Sequence, residues 1–269
     1  MLLLGGVPFV VEPEDLLNPR ERAALAKLPL APPRTQDAGP LFRVRLVLAP
    51  PWIETAAPEP GPAQVSWEEG HLRLRHRAFL AELDVALGEA RLFRRCYDSY
   101  GLEATLRAAM SGRLPREGGL PLHAAALVMR ERAFVFFGPS GAGKSTLSGL
   151  WSGTVLSDEL VAVTRGEGGY SVATTGFWGT LGRANTGLEA WPLGALVELA
   201  KGRDFDLQRL QATDALRRLV GVTMVPAAPP LWSEAIGAIG ALLRTVPCYR
   251  MAWSVDDPPF ERLTEALGL

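Results

Sequence analysis

The chain has few cysteines, almost no net charge and no long apolar run. Its two cysteines, Cys96 and Cys248, form no C-x-x-C pair, which argues against a disulfide framework and against a zinc cluster. The formal net charge of −1 gives no electrostatic reason to expect nucleic acid or an anionic membrane as a partner. With 48% hydrophobic and 21% charged residues, the chain has the composition of an ordinary globular protein.

The N-terminus has no features of a targeting signal. Residues 1–11 are apolar but lack a basic segment and a small-residue cleavage site, so we interpret them as a β-strand. No run approaches the roughly 20 apolar residues that a membrane-spanning helix needs. We therefore expect a cytoplasmic protein that does not interact with a membrane.

The most informative segment is AFVFFGPSGAGKSTLSGL, at residues 133–150. An apolar strand pattern leads into GPSGAGKS and then into a helical pattern, which is the strand–loop–helix context of the phosphate-binding motif G-x-x-x-x-G-K-[ST]. In this motif glycines let backbone N–H groups point inward, Lys144 can reach the β- and γ-phosphates, and the Ser145 hydroxyl can bind Mg²⁺. We predict that the nucleotide is bound by Gly138, Pro139, Ser140, Gly141, Ala142, Gly143, Lys144, Ser145 and Thr146.

An acid pair follows the predicted loop helix. Residues 155–157 predict a short apolar strand that ends in Asp158 and Glu159. This position suits a carboxylate that holds Mg²⁺, and the neighbouring carboxylate can accept a proton from an attacking hydroxyl. A solvent-exposed turn is the alternative interpretation.

Two further features lie close to these motifs in the sequence. His123 belongs to a predicted strand at residues 120–129, where a lone histidine is more often a structural core residue than a functional one. Residues 174–187 are rich in Gly and Thr and contain Phe177, Trp178 and Arg183. Such a segment suits a mobile flap over an acceptor and suits equally a structural connection between strands.

The order of predicted elements divides the chain after residue 115. Residues 1–115 alternate short strands with turns and predict a mostly antiparallel β region. Within it, Asn18 and Glu21 predict a helix start with a capping box, and residues 102–110 predict a short helix that is followed by a linker at 112–119. Residues 116–269 combine strands with helices and predict an α/β domain. One continuous fold is the alternative, and a homo-oligomer is left open.

The motifs together resemble a known family. Leu122-His123-Ala124-Ala125, GPSGAGKST and LSDE, in this order, resemble the catalytic domain of HPr serine kinase/phosphorylase, which belongs to a P-loop group that includes phosphoenolpyruvate carboxykinase. The segments PLGALVELA, TDALRRLV and VPCYRMAW resemble stand-alone HPr-kinase-related proteins. The resemblance covers about residues 102–267 and implies an HPr-kinase/PEP-carboxykinase-like α/β fold, with a mixed sheet and flanking helices. It does not include the regulatory domain of those enzymes.

The resemblance also implies an activity, the ATP- and Mg²⁺-dependent transfer of a γ-phosphate to a hydroxyl acceptor. The acceptor would be a Ser of a protein or peptide, or a small molecule. By this resemblance the catalytic residues are His123, Lys144, Asp158 and Glu159, and the metal ligands are Ser145, Asp158 and Glu159.

The chain departs from the family pattern at two places. The acid pair is Asp-Glu where the family has two aspartates, which leaves open which acid is the base. Residues 174–187 contain no acid where the family has a metal-binding Glu, and Arg183 is their only charged residue. Phosphorolysis and recognition of HPr are therefore left open. The alternative function is that of a nucleotide-binding or NTP-hydrolysing regulatory or scaffold protein without kinase activity.

Overall fold

A computed structural model describes residues 1–30, 41–48, 61–94, 99–181 and 190–269. These residues form an α/β structure with two mixed sheets and six α-helices. Most of the two proline-rich stretches, together with Cys96 and Arg183, lie outside the described residues.

The first sheet is mixed, with antiparallel pairs in the majority as predicted. Its strands are β1 (Leu2–Leu4), β2 (Val7–Glu12), β3 (Phe42–Leu48), β4 (Gln64–Glu68), β5 (His71–His76), β6 (Phe79–Asp84) and β7 (Glu89–Arg94). They lie side by side in the order β1-β2-β3-β7-β6-β5-β4. Strands β2 and β3 are parallel, and so are β3 and β7, whereas the other neighbours are antiparallel. Alternate residues along β5, β6 and β7 are buried, because successive side chains of a strand point to opposite faces.

The prediction of a single strand over residues 1–11 is wrong. The segment is a hairpin, in which Gly5 and Gly6 make the turn between β1 and β2 with φ of 55° and 81°. A Cβ atom at Gly5 would lie 2.5 Å from the Cβ of Ala162, so this turn packs closely against the second sheet. The Gly5-Gly6 pair is a turn signal in the sequence, since glycine readily adopts a positive φ, and the apolar residues on both sides of it led to the prediction of one strand.

The first helix, α1 (Pro19–Leu25), begins where the sequence predicts it. The Asn18 Oδ1 atom accepts hydrogen bonds from the N–H groups of Arg20 and Glu21, and Glu21 Oε2 accepts one from the Asn18 N–H at 2.9 Å. This reciprocal arrangement is a capping box. Glu21 also forms a buried ion pair with Arg94, which fixes the start of the helix to the end of β7.

The second helix, α2 (Tyr100–Arg116), lies between the two sheets and contacts β2, β6 and β7 of the first sheet and β8 (Leu120–Met129) of the second. The prediction of a helix over residues 102–110, followed by a linker, is therefore wrong at its C-terminal end. Packing explains the difference: Leu114 and Pro115 are buried, and a Cβ atom at Gly112 would lie 3.1 Å from Val85. The predicted division after residue 115 falls in the last turn of this helix and stays a prediction.

The second sheet contains eight strands. After β8 these are β9 (Arg132–Phe137), β10 (Val155–Ser157), β11 (Leu160–Gly166), β12 (Gly169–Ala173), β13 (Ala190–Lys201), β14 (Asp206–Arg209) and β15 (Cys248–Trp253). Strand β9 pairs with β8 on one side and with β13, in parallel, on the other. Strands β10 and β11 follow one another along the opposite edge of β8. The short polar strand β14, which the sequence did not predict, pairs with β15.

Helices cover both faces of the second sheet. On one face, α4 (Ala212–Val220) and α5 (Pro229–Leu243) contribute Leu219, Leu231 and Ile239 to a core that also contains buried residues of α2 and of the first sheet. On the other face, α3 (Lys144–Leu150) and α6 (Phe260–Ala266) contribute Leu147 and Leu263 to a smaller core. Within the described ranges, no helix is both long and apolar enough to cross a bilayer.

Candidate functional site

The loop between β9 and α3 is formed by residues 138–143 and is called here the glycine loop. It follows Phe137, the last residue of β9, and ends at Gly143, the residue that precedes α3. Gly141 and Gly143 have φ of 76° and 100°, in the left-handed region that side chains disfavour. A Cβ atom at Gly143 would also lie 3.1 Å from the Trp253 ring. The predicted strand, loop and helix are thus present, and glycine is required at Gly143 by both conformation and space.

The Lys144 ammonium group is buried and has no carboxylate partner among the described residues. Its Nζ atom donates to the Gly138 carbonyl oxygen at 2.9 Å and to the Pro139 carbonyl oxygen at 3.3 Å, both in the glycine loop. The residue is only 8% exposed, and burial lowers the pKa of the ammonium group. The positive charge of this buried ammonium group is not neutralised by a nearby negative charge, so binding of an anion beside it would be favourable.

Backbone N–H groups accompany this cation. Within the described part of the chain, the N–H groups of Gly141, Gly143, Lys144 and Ser145 donate to no backbone or side-chain acceptor. Four free donors next to a buried ammonium group provide the type of surroundings that binds phosphate oxygens. The Ser145 side chain is half-buried and Thr146 is exposed, so the end of the loop is open to solvent.

The acid pair lies across β8 from the glycine loop. Ala124 pairs with Phe137 of β9 on one side, and its N–H donates to the Glu159 carbonyl oxygen at 3.1 Å on the other. The start of the glycine loop and the acid pair are therefore two strand spacings apart, or about 10 Å between backbones. The fold brings together the two motifs that the sequence predicts to act together.

The two acids have different surroundings. Asp158 is 3% exposed, and its Oδ1 and Oδ2 atoms accept hydrogen bonds from the N–H groups of Gly179 at 2.8 Å and Leu181 at 3.0 Å. Asp158 therefore holds the segment that follows β12 in place. The alternative interpretation of the acid pair, a solvent-exposed turn, does not fit the burial of Asp158.

Glu159 is more accessible and is paired with Arg107 of α2. Arg107 Nη1 donates to Glu159 Oε1 at 2.9 Å and Nη2 donates to Oε2 at 3.3 Å, a two-point contact between planar groups. The Arg107 guanidinium group also lies 4.5 Å from the centroid of the Phe177 ring, close enough for a cation–π interaction. Glu159 is thus the acid that faces α2.

His123 lies on β8 between the lysine and the acid pair. The backbone N–H of His123 donates to the Val222 carbonyl oxygen at 2.8 Å, and His123 pairs with Leu160 of β11. Burial lowers the pKa of the imidazole, and the charge of Lys144 lowers it further, whereas the carboxylate and the carbonyl of Glu159 raise it. Lys144 and Glu159 both interact electrostatically with the His123 ring. His123 therefore lies near these two predicted site residues.

Residues 174–181 are attached to the acid pair by hydrogen bonds. Thr175 Oγ1 donates to the Leu160 carbonyl oxygen at 2.7 Å, and Ser157 Oγ donates to the Phe177 carbonyl oxygen at 3.3 Å. Thr175 and Phe177 are buried. This half of the predicted flap is therefore an ordered connection in the structure. The other half, which includes Arg183, lies outside the described residues.

The described residues contain no group of three or more His, Cys, Asp or Glu side chains that could hold a metal ion by themselves. The predicted ligands Ser145, Asp158 and Glu159 nevertheless suit Mg²⁺ bound together with a triphosphate, because Mg²⁺ is usually held by one or two protein oxygens, by phosphates and by water. The unpaired Lys144 ammonium group and the free N–H donors of the loop fit the triphosphate part of such a complex.

Arg107 is the site residue that the sequence did not predict. It belongs to no motif and lies 52 positions before its partner Glu159. A weak signal was present, since Ser99, Glu103 and Arg107 recur at every fourth position and would share one face of a helix. Nothing in the sequence connected that face to the acid pair.

Neither a scan against protein-family models nor a search of the curated proteins gives a match to this chain. Its function therefore has to be inferred from its own residues and their geometry.

Proposed function

We propose that this chain is an ATP- and Mg²⁺-dependent kinase of the HPr-serine-kinase-like P-loop group, which transfers the γ-phosphate to a hydroxyl acceptor in the cytoplasm. The observation that carries the proposal is the buried Lys144 ammonium group, whose hydrogen bonds within the described residues go to carbonyls of the glycine loop, together with the free N–H donors of the same loop. These groups are suited to a bound triphosphate, since phosphate oxygens supply the negative charge that the site lacks.

In the proposed reaction the protein acts mainly by position and charge. Lys144 and the loop N–H groups hold the β- and γ-phosphates, and Ser145 with the acid pair would hold Mg²⁺, which neutralises charge on the phosphates. Either Asp158 or Glu159 accepts the proton of the acceptor hydroxyl. Burial and the charge of Lys144 lower the pKa of the His123 imidazole, and the carboxylate of Glu159 raises it, so this side chain interacts with charges of both motifs.

A competing function is ATP hydrolysis without an acceptor. The two-point contact of Glu159 with Arg107 is the observation that bears on it, since a carboxylate held in this way is not free to orient water until Arg107 moves. This arrangement favours a kinase that needs its acceptor over a constitutive hydrolase.

The proposal is tested by titration calorimetry of the purified chain with ATP and Mg²⁺. The wild type should bind, and Lys144→Ala should weaken binding by a factor on the order of 100 or more while circular dichroism stays unchanged. Arg244→Ala, which removes an exposed cation at the end of α5, is the control and should bind normally. Equal ATP affinity in a folded Lys144→Ala protein would contradict the proposal, and fast hydrolysis without any acceptor would favour the hydrolase.

A further inference from the structure

A cavity of about 500 Å³ opens between α1, α2 and residues 176–178, on the side of Glu159 that faces α2. Its lining comes from one face of each helix. Arg20, Ala23, Ala24, Lys27 and Leu28 line one wall, Ser99, Glu103 and Arg107 line the other, and Gly176, Phe177 and Trp178 form the floor. A volume of this size suits a small molecule or a short stretch of peptide.

The cavity reaches the acid pair through two contacts. Arg107 lines the cavity and binds both carboxylate oxygens of Glu159. The floor continues to Gly179, where a Cβ atom would lie 3.3 Å from the Glu159 Cβ. Within the acid pair, Glu159 is therefore the residue that contacts the cavity lining directly, through Arg107.

The charges in the cavity favour an anion. Among the described residues, neither Arg20 nor Lys27 forms an ion pair, and both are exposed. Arg107 adds a third cation, which Glu159 alone neutralises, and Glu103 is the one carboxylate in the described lining. The lining thus carries a net positive charge beside Glu159.

We propose that this cavity binds the phosphoryl acceptor and that the acceptor is a hydroxyl compound carrying a carboxylate or phosphate group. The proposal rests on the kinase function proposed above and identifies its substrate class. Arg20 and Lys27 attract the anionic group at the rim of the cavity, and Arg107 binds it at the inner end. The N-terminal region, which carries no motif, then supplies part of the acceptor site.

The Arg107–Glu159 contact couples acceptor binding to catalysis. When the anionic group of the acceptor binds the Arg107 guanidinium group in place of Glu159, the Glu159 carboxylate becomes free to act as the base. The acceptor oxygen then forms a bond to the γ-phosphorus while the bond from that phosphorus to the β,γ-bridging oxygen breaks. ADP leaves with that electron pair, and the hydroxyl proton passes to Glu159. Arg107 is a positioning residue in this scheme, since it acts by holding Glu159 and the acceptor.

The test measures transfer of labelled γ-phosphate to matched pairs of acceptors. Glycerate and glycerol form the small-molecule pair, and the peptides Ala-Glu-Ser-Glu-Ala and Ala-Gln-Ser-Gln-Ala form the peptide pair. At least one anionic acceptor should be phosphorylated with kcat/KM about tenfold or more above that of its neutral partner. Which pair responds distinguishes a small hydroxy acid from an acidic peptide.

Variants locate the effect in the cavity. The double variant Arg20→Gln/Lys27→Gln should raise KM for the anionic acceptor by about tenfold or more, with ATP affinity unchanged in calorimetry. The control Arg209→Gln/Arg244→Gln removes two exposed cations elsewhere and should leave KM unchanged. Arg107→Gln should abolish the preference for anionic acceptors over neutral ones, and Arg107→Lys, which keeps the positive charge, should retain part of it.

Three results would overturn the proposed acceptor site without affecting the proposal of nucleotide binding. The first is equal transfer to the neutral and the anionic acceptors, and the second is an unchanged KM in the Arg20→Gln/Lys27→Gln variant. The third is no transfer to any anionic acceptor by protein that binds ATP. Failure of the wild type to bind ATP would instead overturn the kinase function itself, so the two failures are distinguishable.

Discussion

Arg107 Nη1 lies 2.9 Å from Glu159 Oε1, and this contact joins the helix between the two sheets to the acid pair beside the glycine loop. The same guanidinium group packs over the Phe177 ring. One side chain therefore connects α2, the acid pair and the segment that follows β12. A displacement of α2 would therefore change the position of Arg107 relative to Glu159.

Gly143 should be intolerant of a side chain, because its φ is 100° and a Cβ atom would approach the Trp253 ring to 3.1 Å. Gly143→Ala should lower the free energy of unfolding by about 1–3 kcal/mol and should weaken ATP binding as well. Urea denaturation and calorimetry measure the two effects. Gly149→Ala, in the exposed part of α3 where a Cβ atom has open space, is the matched control and should leave stability unchanged or raise it by up to about 1 kcal/mol. Equal stability changes in the two variants would contradict the prediction.

Asp158 should contribute to stability as well as to the site, since its two oxygens accept the N–H groups of Gly179 and Leu181. Asp158→Asn replaces one acceptor with a donor and should lower the free energy of unfolding by about 1–3 kcal/mol. It should also expose residues 174–181 to limited proteolysis. Asp214→Asn, at an exposed ion pair on α4, serves as the control, and its effect should stay within about 1 kcal/mol. A fully stable, protease-resistant Asp158→Asn protein would show that these hydrogen bonds are unimportant.

Glu159 should matter for turnover more than for folding, because its carboxylate is the more accessible of the two and pairs with Arg107. If Glu159 is the base, Glu159→Gln should reduce kcat for phosphoryl transfer by a factor of about 10² or more. A role as metal ligand would instead show as weaker ATP affinity at limiting Mg²⁺. Steady-state kinetics with a responsive acceptor provides the measurement. Glu117→Gln, which removes a glutamate that also pairs with an arginine on α2, should have normal kcat. Normal turnover in the Glu159 variant would assign the base to another group.

His123 should titrate below its ordinary pKa of 6.5, because burial and the charge of Lys144 both disfavour the imidazolium form. Between the native pKa and 6.5 the unfolded chain binds more protons than the folded one. The contribution of His123 to stability is therefore complete above pH 6.5 and is lost as the pH falls through the native pKa. Urea denaturation across this range should show a pH dependence that His123→Gln reduces.

Histidine NMR titration checks the same prediction directly, since the chain has only 3 histidines. His71→Gln and His76→Gln assign the other two signals. Lys144→Ala should raise the pKa of His123, because it removes a neighbouring positive charge. A His123 pKa at or above 6.5 in the wild type would be inconsistent with its burial in the structure.

The sequence predicted the parts of the candidate site that depend on local chemistry. The spacing of Gly138, Gly143, Lys144 and Ser145 indicated a loop between strand and helix, and the structure has β9, the glycine loop and α3 at these positions. The Asn18 capping box and the strand at residues 120–129 were also predictable. In each case hydrogen bonds or a short apolar run within a few residues indicate the conformation.

Only the tertiary structure decided which distant residues meet. Gly112 and Pro115 disfavour a helix locally, yet α2 continues to Arg116, because burial of Leu114 and close packing against Val85 outweigh that preference. The approach of Arg107 to Glu159, across 52 positions, depends on the placement of α2 between the sheets. No periodicity or motif encodes such a contact, since it results from the free energy of packing the whole core and not from interactions between neighbours in sequence.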